Sequence, residues 1–142
     1  MDNSIKLHTK DEFDFMRNAG QLASECLDYL TDFIKPGVST QELNDICHEF
    51  QTSKGAIPAP LNYKGFPKSI CTSVNHVVCH GIPGDKILKD GDIINVDVTP
   101  ILNGWHGDTS RMFYVGKVKL KARKLVETTY EAMMKGIEKI KP

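Results

Sequence analysis

An Asn-Gly dipeptide at 103–104 separates two stretches rich in β-branched and aromatic residues, 92–102 and 105–115. Asn-Gly between such stretches is the strongest short-range signal for a β-hairpin, because both residues of a type I′ turn need a positive φ. A two-residue loop also sets the register of the paired strands. We therefore expect Leu102 to face Trp105 and every earlier pair to follow from it.

This register places two carboxylates on one face of the hairpin. Counting back from the turn, Asp97 faces Ser110 and Thr99 faces Asp108, so that Asp97 and Asp108 are diagonal neighbours. Diagonal partners lie about 7–8 Å apart between Cα atoms, and their side chains can converge further. The intervening side chains point the opposite way, into a predicted core: Ile94, Val96 and Val98.

Two like charges on one sheet face repel each other, so something must compensate them. A bound divalent cation would do so, because hard carboxylate oxygens suit such ions. In the alternative interpretation, both aspartates face solvent on an edge hairpin and pair with Arg111 or a lysine. The residues alone leave both interpretations open.

Two helices are predicted before the hairpin. Thr9 with Glu12 and Ser39 with Glu42 have the spacing of capping boxes, and apolar residues follow each box at helical period. The first helix should stop at Lys-Pro-Gly, and the second should end near Gly55. A third helix is predicted over 118–140, with this apolar stripe: Leu125, Val126, Thr129, Tyr130, Met133, Ile137 and Ile140.

Between the second helix and the hairpin, the segment 56–67 is rich in proline, glycine and aromatic residues and has no period, which predicts a long loop. A strand follows over 69–74, and 76–83 is ambiguous between strand and loop. His80 lies in that segment, beside Gly81 and near Pro83, and this suits a side chain presented from a rigid turn. A structural histidine is the alternative.

Composition narrows the class of protein. Eighteen basic residues balance eighteen acidic ones, which argues against a domain devoted to nucleic acid or anionic lipid. The basic residues at 117–124 are interpreted as a solvated helix face. No apolar run is long enough to span a membrane, and no signal peptide is visible. Four cysteines without a CxxC pair indicate reduced, mostly buried thiols, typical of a cytoplasmic protein.

Four runs of sequence, in order, resemble the bacterial and organellar type I methionine aminopeptidases. They are YKGFPKSIC at 63–71, VVCHGIP at 77–83, DGDIINVDVT at 90–99 and GDTSRMF at 107–113. The resemblance covers essentially the whole chain. It implies an α+β pita-bread fold, built from two halves related by a pseudo-twofold axis, with antiparallel sheets and flanking helices.

The resemblance also implies roles for individual residues. Asp97 matches a bidentate metal ligand, Asp108 a carboxylate that bridges two metal ions, and His80 a catalytic histidine that contacts substrate. Thr99 falls where a hydroxyl lies beside the metals. The pocket for the methionine side chain would be walled by Tyr63, Phe66 and Cys71, with departures from the family pattern at Phe66 and Pro60.

The family is about twice as long as this chain. The resemblance therefore implies that residues 1–142 form a single region, the N-terminal half of a catalytic domain, and that the C-terminal half is absent. That second half supplies a histidine ligand, two glutamate ligands and another catalytic histidine. We expect the 142 residues alone to hold metal loosely and to be inactive.

The implied activity is removal of the N-terminal methionine from nascent proteins, a peptide hydrolysis by a metal-bound hydroxide. The implied cofactors are two divalent ions (Co, Mn, Fe or Zn), and the implied partners are N-terminal methionyl peptides or nascent chains, with the ribosome as a candidate. A monomer is expected for the full-length family, whereas this chain alone is expected to self-associate or to be poorly soluble; no direct contact to nucleic acid or membrane is expected. Two alternatives remain: a catalytically dead pita-bread module that binds a nascent chain or protein partner, and a prolidase-like hydrolase, which the CHGIP run at 79–83 disfavours.

Overall fold

The computed structural model describes residues 5–141. Three α-helices and six short β-strands follow one another in the order α1 (Lys10–Leu30), α2 (Thr40–Ser53), β1 (Ile57–Pro58), β2 (Cys71–Val74), β3 (Ile93–Val98), β4 (Pro100–Leu102), β5 (Trp105–His106), β6 (Thr109–Tyr114) and α3 (Leu120–Ile137). Two 3₁₀ turns, Thr31–Phe33 and Tyr63–Gly65, lie between them.

The first two helices begin where the capping boxes predict. The Thr9 hydroxyl accepts from the Glu12 amide, and the Glu12 carboxylate accepts from the Thr9 amide in return. Ser39 and Glu42 make the same reciprocal pair at the start of α2. Both boxes satisfy backbone donors that a helix N-terminus otherwise leaves free, and both predictions are confirmed.

The hairpin has the predicted register. Leu102 pairs with Trp105 and Asp97 pairs with Ser110, with the turn residues Asn103 and Gly104 at φ values of 51° and 82°. The strands form two three-stranded antiparallel sheets, in the orders β1-β4-β5 and β2-β3-β6. The hairpin contributes its turn end to the first sheet and its base to the second.

One detail of the hairpin corrects the prediction of two continuous strands. The first strand is interrupted at Thr99, and the second strand is interrupted at Gly107 and Asp108. Pro100 has no amide to donate, and the Thr99 carbonyl accepts from the Ala59 amide at 2.8 Å, so the chain here leaves one sheet for the other. The predicted loop 56–67 therefore contains a short strand, β1, which pairs with β4.

The core lies between the β2-β3-β6 sheet and the first two helices. Ile94, Val96 and Val98 are fully buried, as the hairpin pattern predicts. Residues of α1 and α2 cover them: Ala23, Cys26, Leu27, Leu30, Leu43 and Cys47. Cys26, Cys47 and Cys71 are buried thiols, whereas Cys79 is exposed, so the prediction of mostly buried cysteines is confirmed.

Helix α1 also touches the hairpin backbone directly. A Cβ atom at Gly107 would lie 2.0 Å from the Ala19 carbonyl oxygen, a distance no real side chain tolerates. The Gly107 amide donates to the Pro100 carbonyl across the hairpin at 2.9 Å. Gly107 thus allows a helix and a strand to meet just before Asp108.

Helix α3 forms as predicted but buries no residue. Most of its apolar side chains are exposed, among them Leu125 at 61% and Met133 at 51%, and Val126 is half-buried. The basic residues of 117–124 are exposed too, which matches their interpretation as a solvated face. Among the described residues, no helix is both long and apolar enough to cross a membrane. The predicted stop at 141–142 ends on Pro142, which lies outside the described residues.

Candidate active site

A cavity of about 760 Å³ opens beside the hairpin, and it brings together every residue predicted for the site. Its lining comes from the loop after α2, from β2, from the segment after β2, and from the junction between the two sheets. The predicted residues in this lining are Tyr63, Phe66, Cys71, His80, Asp97, Thr99 and Asp108. The hairpin register alone predicts that the last three are neighbours, and the structure confirms it.

Asp97 is held in an unfavourable environment. Its Oδ1 atom is buried and has no hydrogen-bond partner among the described residues. Burial raises the pKa of the Asp97 carboxyl above its usual value, the neighbouring charge of Asp108 raises it further, and His80 opposes the shift. An acceptor oxygen buried without a donor is costly, so this carboxylate needs a partner that the described residues do not supply.

Arg111 does not compensate the carboxylate pair. Its guanidinium pairs with Asp28 on α1 at 2.8 Å, away from the cavity. Between residues 5 and 141, no lysine, arginine or histidine lies within ion-pair distance of Asp97 or Asp108. The pairing with Arg111 or a lysine is therefore wrong for the described part of the chain, whereas the expected exposure to solvent holds for Asp108 but not for the half-buried Asp97.

The two carboxylates fit a divalent cation as part of a donor set. Hard oxygen ligands on one face, one of them an unpartnered buried atom, match the chemistry of such ions. The set is incomplete, however. Within residues 5–141, no cluster of three or more histidine, cysteine, aspartate or glutamate side chains is arranged to hold a metal ion.

His80 reaches the cavity from an exposed loop rather than from a strand, which settles the ambiguity of 76–83. Its φ of 52° lies in the left-handed region, which non-glycine residues seldom adopt. The adjoining Gly81 carbonyl accepts from the Thr72 amide at 2.8 Å, so the loop runs along the edge of β2. The loop therefore brings an imidazole to the same cavity as the carboxylates.

The remaining predicted residues line the same cavity: Cys71 on β2, which pairs with Asp97, and Tyr63 and Phe66 on the loop after α2. Burial raises the pKa of the Cys71 thiol to about 11, with Asp97 as the next contributor. A pKa this high favours the protonated thiol over the thiolate at neutral pH. Phe66 is half-buried, and Tyr63 is 65% exposed at the rim, on a 3₁₀ turn preceded by a left-handed Asn62.

Sequence reasoning missed one histidine of the site. His106 is exposed, as expected near a hairpin turn, yet it also lines the cavity. The signal was present in the register, because alternate residues of a strand share a face and His106 precedes Asp108 by two positions. Ile82 and Lys64 also line the cavity without having been predicted.

The chain is similar to known proteins over nearly all of its length. Methionine aminopeptidase from Rickettsia prowazekii is 66% identical over 139 residues, covering 98% of this chain and 54% of the relative. Its crystal structure superposes with a TM-score of 0.93 at 67% identity, covering 94% of this chain and 54% of that one. Methionine aminopeptidase from Thermotoga maritima gives a TM-score of 0.93 at 32% identity, covering 98% and 56%.

A more distant structure shows the fold alone. Xaa-Pro dipeptidase from Bacillus anthracis gives a TM-score of 0.83 at 24% identity, covering 95% of this chain and 37% of that one. These likenesses confirm the predicted α+β pita-bread fold and the resemblance to methionine aminopeptidases. The chain spans about half the length of the curated relatives it matches.

The family model of the M24 metallopeptidases matches residues 14–142, nearly the whole chain. The match to a metallopeptidase family implies that a divalent metal is used. The unpartnered carboxylate oxygen in the cavity agrees with this. The chain therefore belongs to metallopeptidase family M24.

Proposed function

We propose that this chain forms the metal- and substrate-binding wall of a methionine aminopeptidase, which removes the N-terminal methionine from peptides and nascent proteins. The observation that carries the proposal is the cavity in which Asp97, with its unpartnered Oδ1, lies beside Asp108 and His80. The names of the similar proteins support the choice of substrate.

In this proposal Asp97 and Asp108 hold two divalent ions, whose identity among Co, Mn, Fe and Zn stays open. When bound, such ions supply Lewis acidity and lower the pKa of water to near neutrality. The carboxylates of Asp97 and Asp108 would hold the ions through their oxygen atoms. The high cost of leaving Oδ1 of Asp97 without a partner favours this arrangement.

His80 would hydrogen-bond to the carbonyl oxygen of the first peptide bond of the substrate and stabilise the negative charge that develops there. Thr99 would offer its hydroxyl beside the metal ligands. The thioether of the substrate methionine would lie against Tyr63, Phe66 and the protonated Cys71, since sulfur packs well on aromatic and apolar surfaces.

A second candidate is a binding module without catalysis, which holds a nascent chain or another protein. The small donor set favours it, because the described residues offer two carboxylates and no larger metal cluster. Contact with the ribosome, a monomeric state and a cytoplasmic location remain predictions for either candidate.

Metal titration tests the proposal. By calorimetry, the wild-type chain should bind Mn²⁺ weakly, and Asp97→Asn should abolish that binding because it removes a charged ligand oxygen. Asp92→Asn is the matched control, since Asp92 is an aspartate next to the same strand whose carboxylate accepts from Asn75 and from the Lys89 amide. Equal Mn²⁺ binding by wild type and Asp97→Asn would contradict the proposed ligand role.

A turnover assay tests whether the donor set of this chain is sufficient for catalysis. The isolated chain should show no release of methionine from Met-Gly-Met with added Mn²⁺ or Co²⁺, because two carboxylates leave most metal positions to water. Turnover at the rate usual for enzymes, about 1–1000 per second, would show that the donor set is complete without further residues.

A further inference from the structure

The loop that carries His80 is hydrogen-bonded to β2 through Gly81, the residue that follows His80. The Gly81 carbonyl accepts from the Thr72 amide at 2.8 Å, and the Gly81 amide donates to the Ser73 hydroxyl at 3.2 Å. Both backbone groups of Gly81 are thus bonded to neighbouring residues of one strand. The second bond is unusual, because its acceptor is a side chain.

The contact is too close for any residue but glycine. A Cβ atom at Gly81 would lie 2.1 Å from the Thr72 carbonyl oxygen and 3.2 Å from the Ser73 Cα atom. The loop backbone therefore lies directly against β2. Any residue larger than glycine would push the loop, and His80 with it, away from the strand.

His80 itself needs this support. A non-glycine residue in the left-handed region is strained and persists only when its surroundings hold it there. His80 has a φ of 52° and is exposed, so packing of its own side chain supplies little of that support. The bonds at Gly81 are the nearest restraint on the His80 backbone.

Ser73 occupies the face of the sheet that carries the site. Cys71 pairs with Asp97 and Ser73 pairs with Asn95, so alternate residues place the Ser73 hydroxyl on the same face as the Asp97 carboxylate. Ser73 is 5% exposed and does not line the cavity. Its hydroxyl is therefore placed to act on the site only through another residue.

We propose that Ser73 is a positioning residue, which holds the His80 imidazole beside the carboxylate pair through its hydrogen bond with the Gly81 amide. The consequence for substrate rests on the proposed function, in which His80 meets the scissile carbonyl. The restraint on His80 does not depend on that function, so the two can fail separately.

The neighbouring residue provides a matched control. Thr72 is also buried on β2, but its hydroxyl has no hydrogen-bond partner among the described residues. Thr72→Val removes that hydroxyl at constant shape, and Ser73→Ala removes the hydroxyl that binds Gly81. Both variants lose one buried oxygen from the same strand, and only the second loses a bond to the His80 loop.

The first measurement needs no metal. In nuclear magnetic resonance spectra, the His80 backbone shifts should report a positive φ in wild type and in Thr72→Val, and should move towards the ordinary negative-φ range in Ser73→Ala. The Gly81 amide should exchange with solvent about fivefold faster in Ser73→Ala, which corresponds to the loss of one neutral hydrogen bond. Unchanged shifts and exchange in Ser73→Ala would overturn the proposal.

The second measurement locates the ring. Mn²⁺ held by the carboxylates should broaden the His80 ring signals in wild type and Thr72→Val, and the broadening should weaken several-fold in Ser73→Ala at unchanged Mn²⁺ affinity. His48, which bonds Ser69 outside the cavity, serves as an internal reference. Equal broadening in Ser73→Ala would overturn the positioning role. Absence of Mn²⁺ binding in wild type would count against the proposed function alone, since the metal-free measurement still decides the role of Ser73.

Gly81→Ala is an independent variant with the same expected result. The added Cβ must displace the loop from Thr72, so the His80 backbone shifts should move as they do in Ser73→Ala. If Gly81→Ala displaces His80 while Ser73→Ala does not, backbone contact alone positions the histidine and the role given to Ser73 is wrong.

Discussion

Helices α1 and α3 have similar amphipathic patterns but differ in whether their apolar face is buried. Both are amphipathic, and the segments that contain them end in Ile-Lys-Pro. The apolar stripe of α1 is buried against the sheet, whereas no residue of α3 is buried. Helical periodicity therefore predicts that a helix forms and which face is apolar, but burial of that face depends on a partner elsewhere in the molecule.

The same contrast exists among the carboxylates. Asp92 accepts from the Asn75 side chain at 2.9 Å and from the Lys89 amide at 3.0 Å. Asp97, on the strand that begins directly after Asp92, has a buried oxygen without a partner among the described residues. The first region, made of the apolar stripe of α1 and the carboxylate of Asp92, thus has its partners among the described residues. The second region, made of the apolar stripe of α3 and the cavity carboxylates, does not. Removing a group should cost stability in the first region and little or none in the second.

The largest contrast is expected for leucines. Leu27→Ala in α1 should lower the free energy of unfolding by about 2–5 kcal/mol, because it leaves a cavity in a packed core. Leu125→Ala in α3 should change it by less than about 0.5 kcal/mol, since that side chain is mostly exposed. Urea denaturation of both variants measures the difference. Equal losses would mean that the α3 stripe is covered in solution.

A smaller contrast is expected at the helix starts. Ser39→Ala removes the cap of α2 and should cost about 1 kcal/mol of global stability. Helix α3 has Lys119 at its N-cap with no side-chain hydrogen bond and no acidic residue in its first turn. Lys119→Ser should slow hydrogen exchange in α3 and leave the urea midpoint nearly unchanged, because a helix without buried contacts unfolds locally. A clear rise in the urea midpoint would show that α3 is coupled to the core.

The smallest effect is expected for the aspartates, and it differs in sign. The pKa of Asp97 is raised in the folded state, so the folded chain holds the proton more tightly than the unfolded chain. Its contribution to stability is therefore lost as pH rises through the folded pKa, and Asp97→Asn should be more stable than wild type at neutral pH.

Asp92 is the matched control for this effect. Burial acts to raise its pKa, but the hydrogen bonds from Asn75 and Lys89 outweigh burial and lower it. Its contribution is present above the unfolded pKa and is lost as pH falls through the folded pKa, so Asp92→Asn should be less stable than wild type at neutral pH. Urea midpoints across acid to neutral pH test both. The same sign for both variants would contradict the contrast between the two carboxylates.

Local chemistry decided which features could be predicted from sequence. The capping boxes at Thr9 and Ser39 predicted two helix starts, and the Asn-Gly turn predicted the exact pairing of Asp97 with Ser110. These signals act over a few residues. The two-residue strand β1 was missed, because it exists only through pairing with β4, far along the chain.

The site was predicted in two different ways. The hairpin register alone predicted the neighbours Asp97, Thr99 and Asp108. His80 and Tyr63 reach the same cavity from loops, so no period connects them with the hairpin, and only the family resemblance predicted their convergence. Their roles remain predictions that the metal and positioning experiments test.

The close approach of Gly107 to α1 has a consequence for how this protein can change over time. Its missing side chain lets the Ala19 carbonyl rest on the hairpin immediately before Asp108. A change in the length or tilt of α1 would therefore shift Gly107 and, with it, the candidate ligand Asp108. Selection against mutations that tilt this helix would therefore act through the position of Asp108 as well as through stability. This holds although α1 contributes no residue to the cavity lining.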